Sequence, residues 1–436
     1  MIRFAFTLAT GIAFAFPALA AVDIQEVTSP GGIKAWLVEE HSIPFTALEI
    51  RFKGGASLDA EGKRGAINLM SGLLDEGAGD LDSRAFSAAR EDLAASIRFN
   101  ASDDAVSVSA RFLTENRAKA VDLIRMAVTE PRFDEDAIDR VRGQVLASIA
   151  SDARDPNAIA AHTFAHLAFP DDPYGTAIDG TEESVSALTR DDLIAAKDRV
   201  MARDRVVVSA VGDIDAGELG RILDEILGPL PATGADMPPA VSYDLAGGTT
   251  VVDFDTPQSV ILFGQPGIDR DDPDFFPAFV LNEVLGGGRF TARLMKEVRE
   301  KRGLTYGIYT SIANYDRASY IVGSVATVNA RAGETLSVIR DEWAKAQADG
   351  ITQEELDATK TYLIGAYPLR FDGNATIARI LVGMQAQGYG PDYITRRNDF
   401  IEAVTLEDVK RVAAKRLAPE KLHFVVVGHP EGVTAN

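Results

Sequence analysis

The sequence predicts an α+β fold made twice: two homologous repeats, each a largely antiparallel sheet covered by helices, facing each other across a cleft. Three observations predict it. Strand-like stretches come in hairpin-like pairs followed by runs of helices, without the strict strand-helix alternation of a parallel doubly wound sheet. The order of elements recurs: Thr189 and Thr405 each open a helix, a strand closes on Gly212 and another on Gly428, and both pairs are 216 positions apart. Between the copies lies LPATGADMPPA, residues 230–240, with three prolines, one glycine and no periodicity, which reads as a linker. The domains are then 1–20 as a leader, 21–229 as the first repeat and 241–436 as the second.

Taken in order, Ile33 to Val38 and Phe45 to Phe52 read as strands, and Gly62 to Leu74 and Ser83 to Ala95 as helices. Ser102 to Phe112 alternates as a half-buried strand. Helices follow at Glu115 to Val128, Asp134 to Ser151 and Asn157 to Phe169, then a loop at Pro170 to Gly175. Thr189-Arg190-Asp191-Asp192 has the form of a capping box for a helix reaching Met201. Arg205 to Val211 reads as a buried strand and Ala216 to Leu227 as a helix. The second copy has strands at Thr250 to Phe254 and Ser259 to Gln265, helices at Phe275 to Leu285 and Phe290 to Lys301, two more strands, a long helical run and a closing strand at Leu422 to Val427.

At 436 residues and 46% hydrophobic content the chain is long enough for two full cores. Arg3, the apolar stretch Phe4 to Phe16 and Ala18-Leu19-Ala20 have the form of a secretory signal cleaved near Ala20, so the mature chain is expected to be periplasmic or secreted. There are no cysteines, which excludes thiol catalysis, thiolate metal sites and disulfides. The net charge of −21 becomes −22 once Arg3 leaves with the signal, and it argues against nucleic acid or an anionic membrane as partner.

The chemistry-bearing stretch is LGGGRFTARLMKEVREKRGLTYGIYT, Leu285 to Thr310. Gly286, Gly287 and Gly288 make a loop that another chain can approach closely and are the candidate substrate-binding residues. Phe290, Leu294 and Val298 recur at helical spacing up to the stop at Gly303. A strand is expected from Leu304, so that Arg299 and Tyr306 come to one sheet edge. Tyr309, three residues along that strand, is expected on the opposite face from Tyr306. His162 and His166 share a helix face four residues apart but have no third ligand in register, and they read as ordinary surface or part-buried histidines.

The stretch resembles the second-domain signature of pitrilysin/insulinase-type zinc peptidases, the inverzincins, including the processing-peptidase-like bacterial enzymes. The resemblance covers the whole mature chain, with Pro173-Tyr174-Gly175 and the linker matching too. It implies H-x-x-E-H on a first-repeat helix, with two histidine ligands, a general-base glutamate and a distal glutamate as third zinc ligand. This chain departs there. Asn68, Ser71 and Gly72 stand where His, Glu and His should be, the distal position falls near Ser148, and Val141 to Ser151 contains no acid. No metal is therefore expected in this chain.

The resemblance also makes Arg299 and Tyr306 the pair that binds the substrate carbonyl and the developing oxyanion. A chain with the donors and no zinc site resembles the non-catalytic subunit of a heterodimeric peptidase. Its expected partners are peptide substrates and a homologous H-x-x-E-H-bearing subunit that holds the zinc. The other readings of the same residues are an inactive structural or assembly subunit and a stand-alone peptide-binding protein.

Overall fold

A computed structural model describes residues 23–436, so the segment read as a signal peptide lies outside the described residues. The first repeat begins with strands β1 (Gln25–Thr28), β2 (Lys34–Glu39) and β3 (Phe45–Lys53), then helix α1 (Ala66–Ser71) and a short hairpin of β4 (Gly77–Ala78) and β5 (Leu81–Asp82). Helix α2 (Ser83–Asp92), strands β6 (Ser96–Ala101) and β7 (Ala105–Leu113), and helices α3 (Arg117–Thr129), α4 (Glu135–Asp152) and α5 (Pro156–Ala168) follow. Helices α6 (Glu182–Ser186) and α7 (Arg190–Val200), strand β8 (Val206–Gly212) and α8 (Ala216–Leu227) close it. The six-stranded sheet has the order β1-β2-β8-β3-β7-β6, and only β2 and β8 run parallel.

Residues 228–247 form neither helix nor strand. The second repeat has β9 (Gly248–Asp253), β10 (Gln258–Pro266), α9 (Phe275–Leu285), a π-helical turn Met295–Glu300, β11 (Ile308–Asn314) and β12 (Ser319–Val328). Helices α10 (Ala332–Asp349), α11 (Gln353–Ala366), α12 (Asn374–Ala386), α13 (Tyr393–Ala403) and α14 (Leu406–Arg416) precede β13 (His423–Gly428). The order of the five-stranded sheet is β11-β12-β10-β13-β9, again antiparallel except for one pair, β13 with β9. Thr189 and Thr405 form full capping boxes with Asp192 and Asp408.

The near-continuous apolar runs in β8 and β13 mark strands covered on both faces. One face of each meets the helices of its own repeat, Val208 and Ala210 in the first core and Phe424 and Val426 in the second. The other face is covered by a helix from the opposite repeat. Val211, Trp36 and Ala47 pack against Ala378, Leu381 and Met384 of α12, while Val425 and Val427 pack with Ala160 and Phe164 of α5. Hydrogen bonds fix the first exchange, Ser209 Oγ to the Ala378 carbonyl at 2.6 Å and Gln385 Nε2 to the Val208 carbonyl at 2.7 Å. Close approach fixes the second: a Cβ on Gly264 would stand 2.6 Å from the Phe164 ring.

A second tie joins the repeats at the tip of the β11–β12 hairpin. Arg317 clamps Asp172 with two bonds of 2.6 and 2.8 Å, donates to the Pro239 carbonyl at 3.1 Å and lies 4.2 Å from the Tyr174 ring centre. The Asp316 amide donates to Asp104 at 3.0 Å, and Asp104 also accepts from the Tyr174 hydroxyl. Burial would raise the Asp172 carboxyl pKa, but the Arg317 guanidinium and the Tyr174 amide outweigh it and hold it below the usual carboxylate range. Gly175 is required here, since a Cβ would stand 2.0 Å from the Phe169 carbonyl oxygen.

Several predicted elements are corrected. The helix expected over Gly62 to Leu74 is confined to Ala66–Ser71, because Gly62 and Gly65 hold φ of +72° and +97° and Asp59 accepts from the Gly65 and Ile67 amides at 2.9 Å each. Strands β1 and β6 were not expected. Tyr306 is not on a strand: Thr305 Oγ1 donates to the Ala326 carbonyl at 2.7 Å and takes up the Gly307 amide at 3.2 Å, so a turn occupies 305–307 and β11 starts at Ile308.

Candidate functional site

The helix that would carry the metal ligands is α1. Asn68 Nδ2 donates to Asp179 Oδ1 at 2.6 Å, so this amide is already committed. Burial, and then the neighbouring Asp152 carboxylate, raises the Asp179 pKa above its ordinary value. The Ser71 hydroxyl is buried with no hydrogen-bond partner among the described residues. Gly72, the exposed C-cap of α1, brings no side chain, and a Cβ there would come 3.3 Å from a Val141 methyl on α4. Ser148 sits exposed further along α4.

An amide in use, a hydroxyl and a hydrogen atom do not suit zinc, which takes imidazole, carboxylate or thiolate donors. Among the described residues no three His, Asp or Glu side chains gather closely enough to hold a metal ion. His162 and His166, both exposed on α5, line a cleft with Asp59 and Glu183 but do not complete such a group.

Arg299 and Tyr306 lie on two successive segments of the second repeat. Met295–Glu300 is a π-helical turn that ends where the Gly303 amide donates to the Arg299 carbonyl at 2.9 Å, with Gly303 at φ +61°. The Arg299 guanidinium stacks 4.7 Å from the ring centre of Phe290, which is itself 62% exposed. Tyr306 is 91% exposed. Neither Arg299 nor Tyr306 makes a side-chain hydrogen bond to any described residue. Tyr309 is also exposed and folds back over Gly307, its hydroxyl 2.7 Å from where a Gly307 Cβ would stand. Strand parity therefore does not separate Tyr309 from Tyr306 as the sequence suggested.

The three glycines have distinct reasons. Gly286 is buried, its carbonyl accepts from the Thr310 amide at 2.9 Å, and a Cβ would stand 2.4 Å from the Thr310 hydroxyl. Gly287 is buried against Glu283, with 2.4 Å to its carboxyl carbon. Gly288 alone is exposed, with φ of +58° and open space around the Cβ position. Packing thus explains the first two, and only the third presents its backbone outward.

Sequence reasoning did not find the free edge of the first sheet. The groove beside β6 has a volume of about 430 Å³ and is lined by Ser71, Gly72, Asp75, Arg90 and residues 95–100. The signal was present in the alternation of Ile97, Phe99 and Ala101, but it is short and follows a helix directly. The Arg317–Asp172–Tyr174 junction was missed too, because Arg317 is 145 residues from Asp172 in sequence.

Comparison with known proteins agrees with this architecture. Residues 35–182 match the family described as insulinase (peptidase family M16), and 187–363 match the peptidase M16 inactive domain. A protein of Helicobacter pylori named a non-peptidase homolog, YmxG, is 28% identical over 380 residues, 87% of this chain and 86% of that protein. An uncharacterized zinc protease of Mycobacterium tuberculosis is 30% identical over 322 residues, 72% of each chain. The crystal structure of a peptidase M16 inactive domain from Pseudomonas fluorescens superposes with a TM-score of 0.87 at 29% identity, covering 95% of this chain and 99% of that one. With two matching domain families in the expected order and a fold shared along nearly its whole length, the chain belongs to the insulinase, or M16, peptidase family.

Proposed function

We propose that this chain is the exported, non-catalytic, peptide-binding half of a heterodimeric zinc peptidase, lending Arg299 and Tyr306 to the zinc site of a homologous H-x-x-E-H subunit. The observation that carries the reading is the contrast between the two half-sites. At the three ligand positions of α1 and its C-cap stand a committed amide, a buried hydroxyl and an exposed glycine that brings no side chain. In the second repeat Tyr306 stands 91% exposed with no hydrogen-bond partner among the described residues, beside an arginine held on an aromatic ring. A tyrosine kept for stability would bury its ring. Peptide hydrolysis at zinc builds negative charge on a carbonyl oxygen, and a phenol and a guanidinium are suited to receive it. The unpaired edge of β6 supports peptide binding, since an extended chain can add to such an edge by main-chain hydrogen bonds. The non-peptidase description of the Helicobacter relative points the same way.

Purified and dialysed, the chain is expected to hold no stoichiometric zinc and to cleave no peptide. With an H-x-x-E-H homologue it should elute as a one-to-one complex on sizing chromatography. One tightly held zinc per chain would end this reading and turn attention to His162 and His166. Failure to co-elute would remove the heterodimer.

A further inference from the structure

The duplication produced two equivalent clefts, and they differ in charge. Each lies where the exchanged helix leaves the sheet it covers, α5 in the first repeat and α12 in the second. The first-repeat cleft, about 870 Å³, is lined by Asp59, Glu61, Asp171, Asp172 and Glu183 with Arg64 and the two α5 histidines. Its counterpart, about 710 Å³, is lined by four arginines, Arg270, Arg370, Arg379 and Arg397, and by no carboxylate. The fold requires neither charge, since the same scaffold carries both. In a chain with 65 acidic against 44 basic residues, four arginines around one cleft without a lining acid call for a ligand.

Arg397 sets the floor. It is 7% exposed; its Nη1 donates to the Leu363 carbonyl at 2.9 Å and to Asn398 at 3.1 Å, while Nη2 and Nε bond to no described residue. Burial, and the like charge of Arg370, press its pKa down, and the guanidinium lies 4.6 Å from the Tyr367 ring centre with no carboxylate paired to it among the described residues. Arg270 and Arg370 have no hydrogen-bonded partner among the described residues, and Arg379 bonds only the Ala375 carbonyl and Thr376 of its own helix. Glu283 and Glu49 act on Arg397 and Arg379 through their fields, but neither lines the cleft or pairs with these guanidiniums. Much of the remaining wall is aromatic, with Ile380, Met384 and Gln387 of α12 and its end completing it. Tyr389 and Tyr393 stack with ring centres 3.9 Å apart, and Phe276 and Phe279 face the same space.

We propose that this second-repeat cleft binds a small aromatic carboxylate, its anion on the guanidiniums of Arg397, Arg379 and Arg270 and its ring against the Phe276, Phe279 and Tyr389 wall. Guanidinium forks match a carboxylate bidentately, and flat rings stack on both the aromatic wall and the guanidinium faces. The volume suits a ligand of that size. The proposal does not depend on Arg299, Tyr306 or a partner subunit.

The test is calorimetric titration of the full chain with N-acetylphenylalanine, with its amide and with inorganic phosphate. The acid should bind one to one, at least about tenfold more tightly than the amide, and weaken as salt is raised. Arg379→Gln and Arg270→Gln change partly or fully exposed side chains, and each should weaken the acid about tenfold without unfolding the chain. Glu183→Gln, in the acidic cleft, should change nothing. The proposal is overturned if acid and amide bind alike, if the folded chain gives no heat with the acid, or if phosphate binds as tightly as the aromatic acid.

Discussion

Tyr306→Phe, made in this chain and assayed with the proposed H-x-x-E-H partner, is expected to lower kcat by roughly a hundredfold, the loss usual for one oxyanion donor. KM and the stability of the complex should hardly change, because the exposed hydroxyl bonds to none of the described residues of the free chain. Arg299→Ala is expected to raise KM as well, since a guanidinium can hold a carbonyl in the ground state and in the transition state alike. Tyr309 is a poor control because it folds back toward the same turn. Tyr362 on α11 is a better one: it is 48% exposed and lies 4.8 Å under Arg289, so Tyr362→Phe should leave kcat unchanged. Equal losses in all three variants, or activity restored simply by concentrating the subunits, would make the pair structural.

The second large effect is expected at the junction of the repeats. Arg317→Ala removes both bonds to Asp172 and the cover of Tyr174, leaving a carboxylate inside a contact where Arg317 is only 8% exposed. Asp172 is half-buried and lines the first-repeat cleft, so the loss is expected to be about 1–3 kcal/mol, the cost of leaving a hydrogen-bonded group unpaired. Because the exchanged helices α5 and α12 still join the sheets, urea unfolding should remain one transition with its midpoint shifted down. Arg411→Ala breaks an ion pair with Asp274 whose arginine side chain is 48% exposed, and it should cost less than about 1 kcal/mol. Similar shifts for the two variants would show that the hairpin tip is not a clamp.

Much of the fold was legible because its signals are local. Thr189 and Thr405 cap helices through hydrogen bonds three residues long, and the repeat only needed those local signals to recur. The exchange of α5 and α12 was not legible, since periodicity shows that a helix face is apolar and not which sheet it will cover. The continuous apolar runs of β8 and β13 did announce two covered faces without naming the cover. At the candidate metal position the identities of Asn68, Ser71 and Gly72 could be read one by one, but not the bond from Asn68 to Asp179. Tyr306 was misplaced onto a strand because Thr, Tyr and Ile favour strands, whereas one Thr305 hydroxyl, bonding across to Ala326, stops the ladder before it. The arginine cleft escaped because its four members are spread from 270 to 397 and meet only in three dimensions.

The central claim, that this chain completes a zinc site it does not contain, is tested most directly by titrating a fixed amount of the H-x-x-E-H homologue with this chain and following peptide cleavage. The account predicts that cleavage is absent at zero, rises in proportion to added chain and saturates at one chain per partner, while the Tyr306→Phe chain saturates at the same ratio with a rate about a hundredfold lower. A partner that cleaves the peptide equally well without this chain would contradict it.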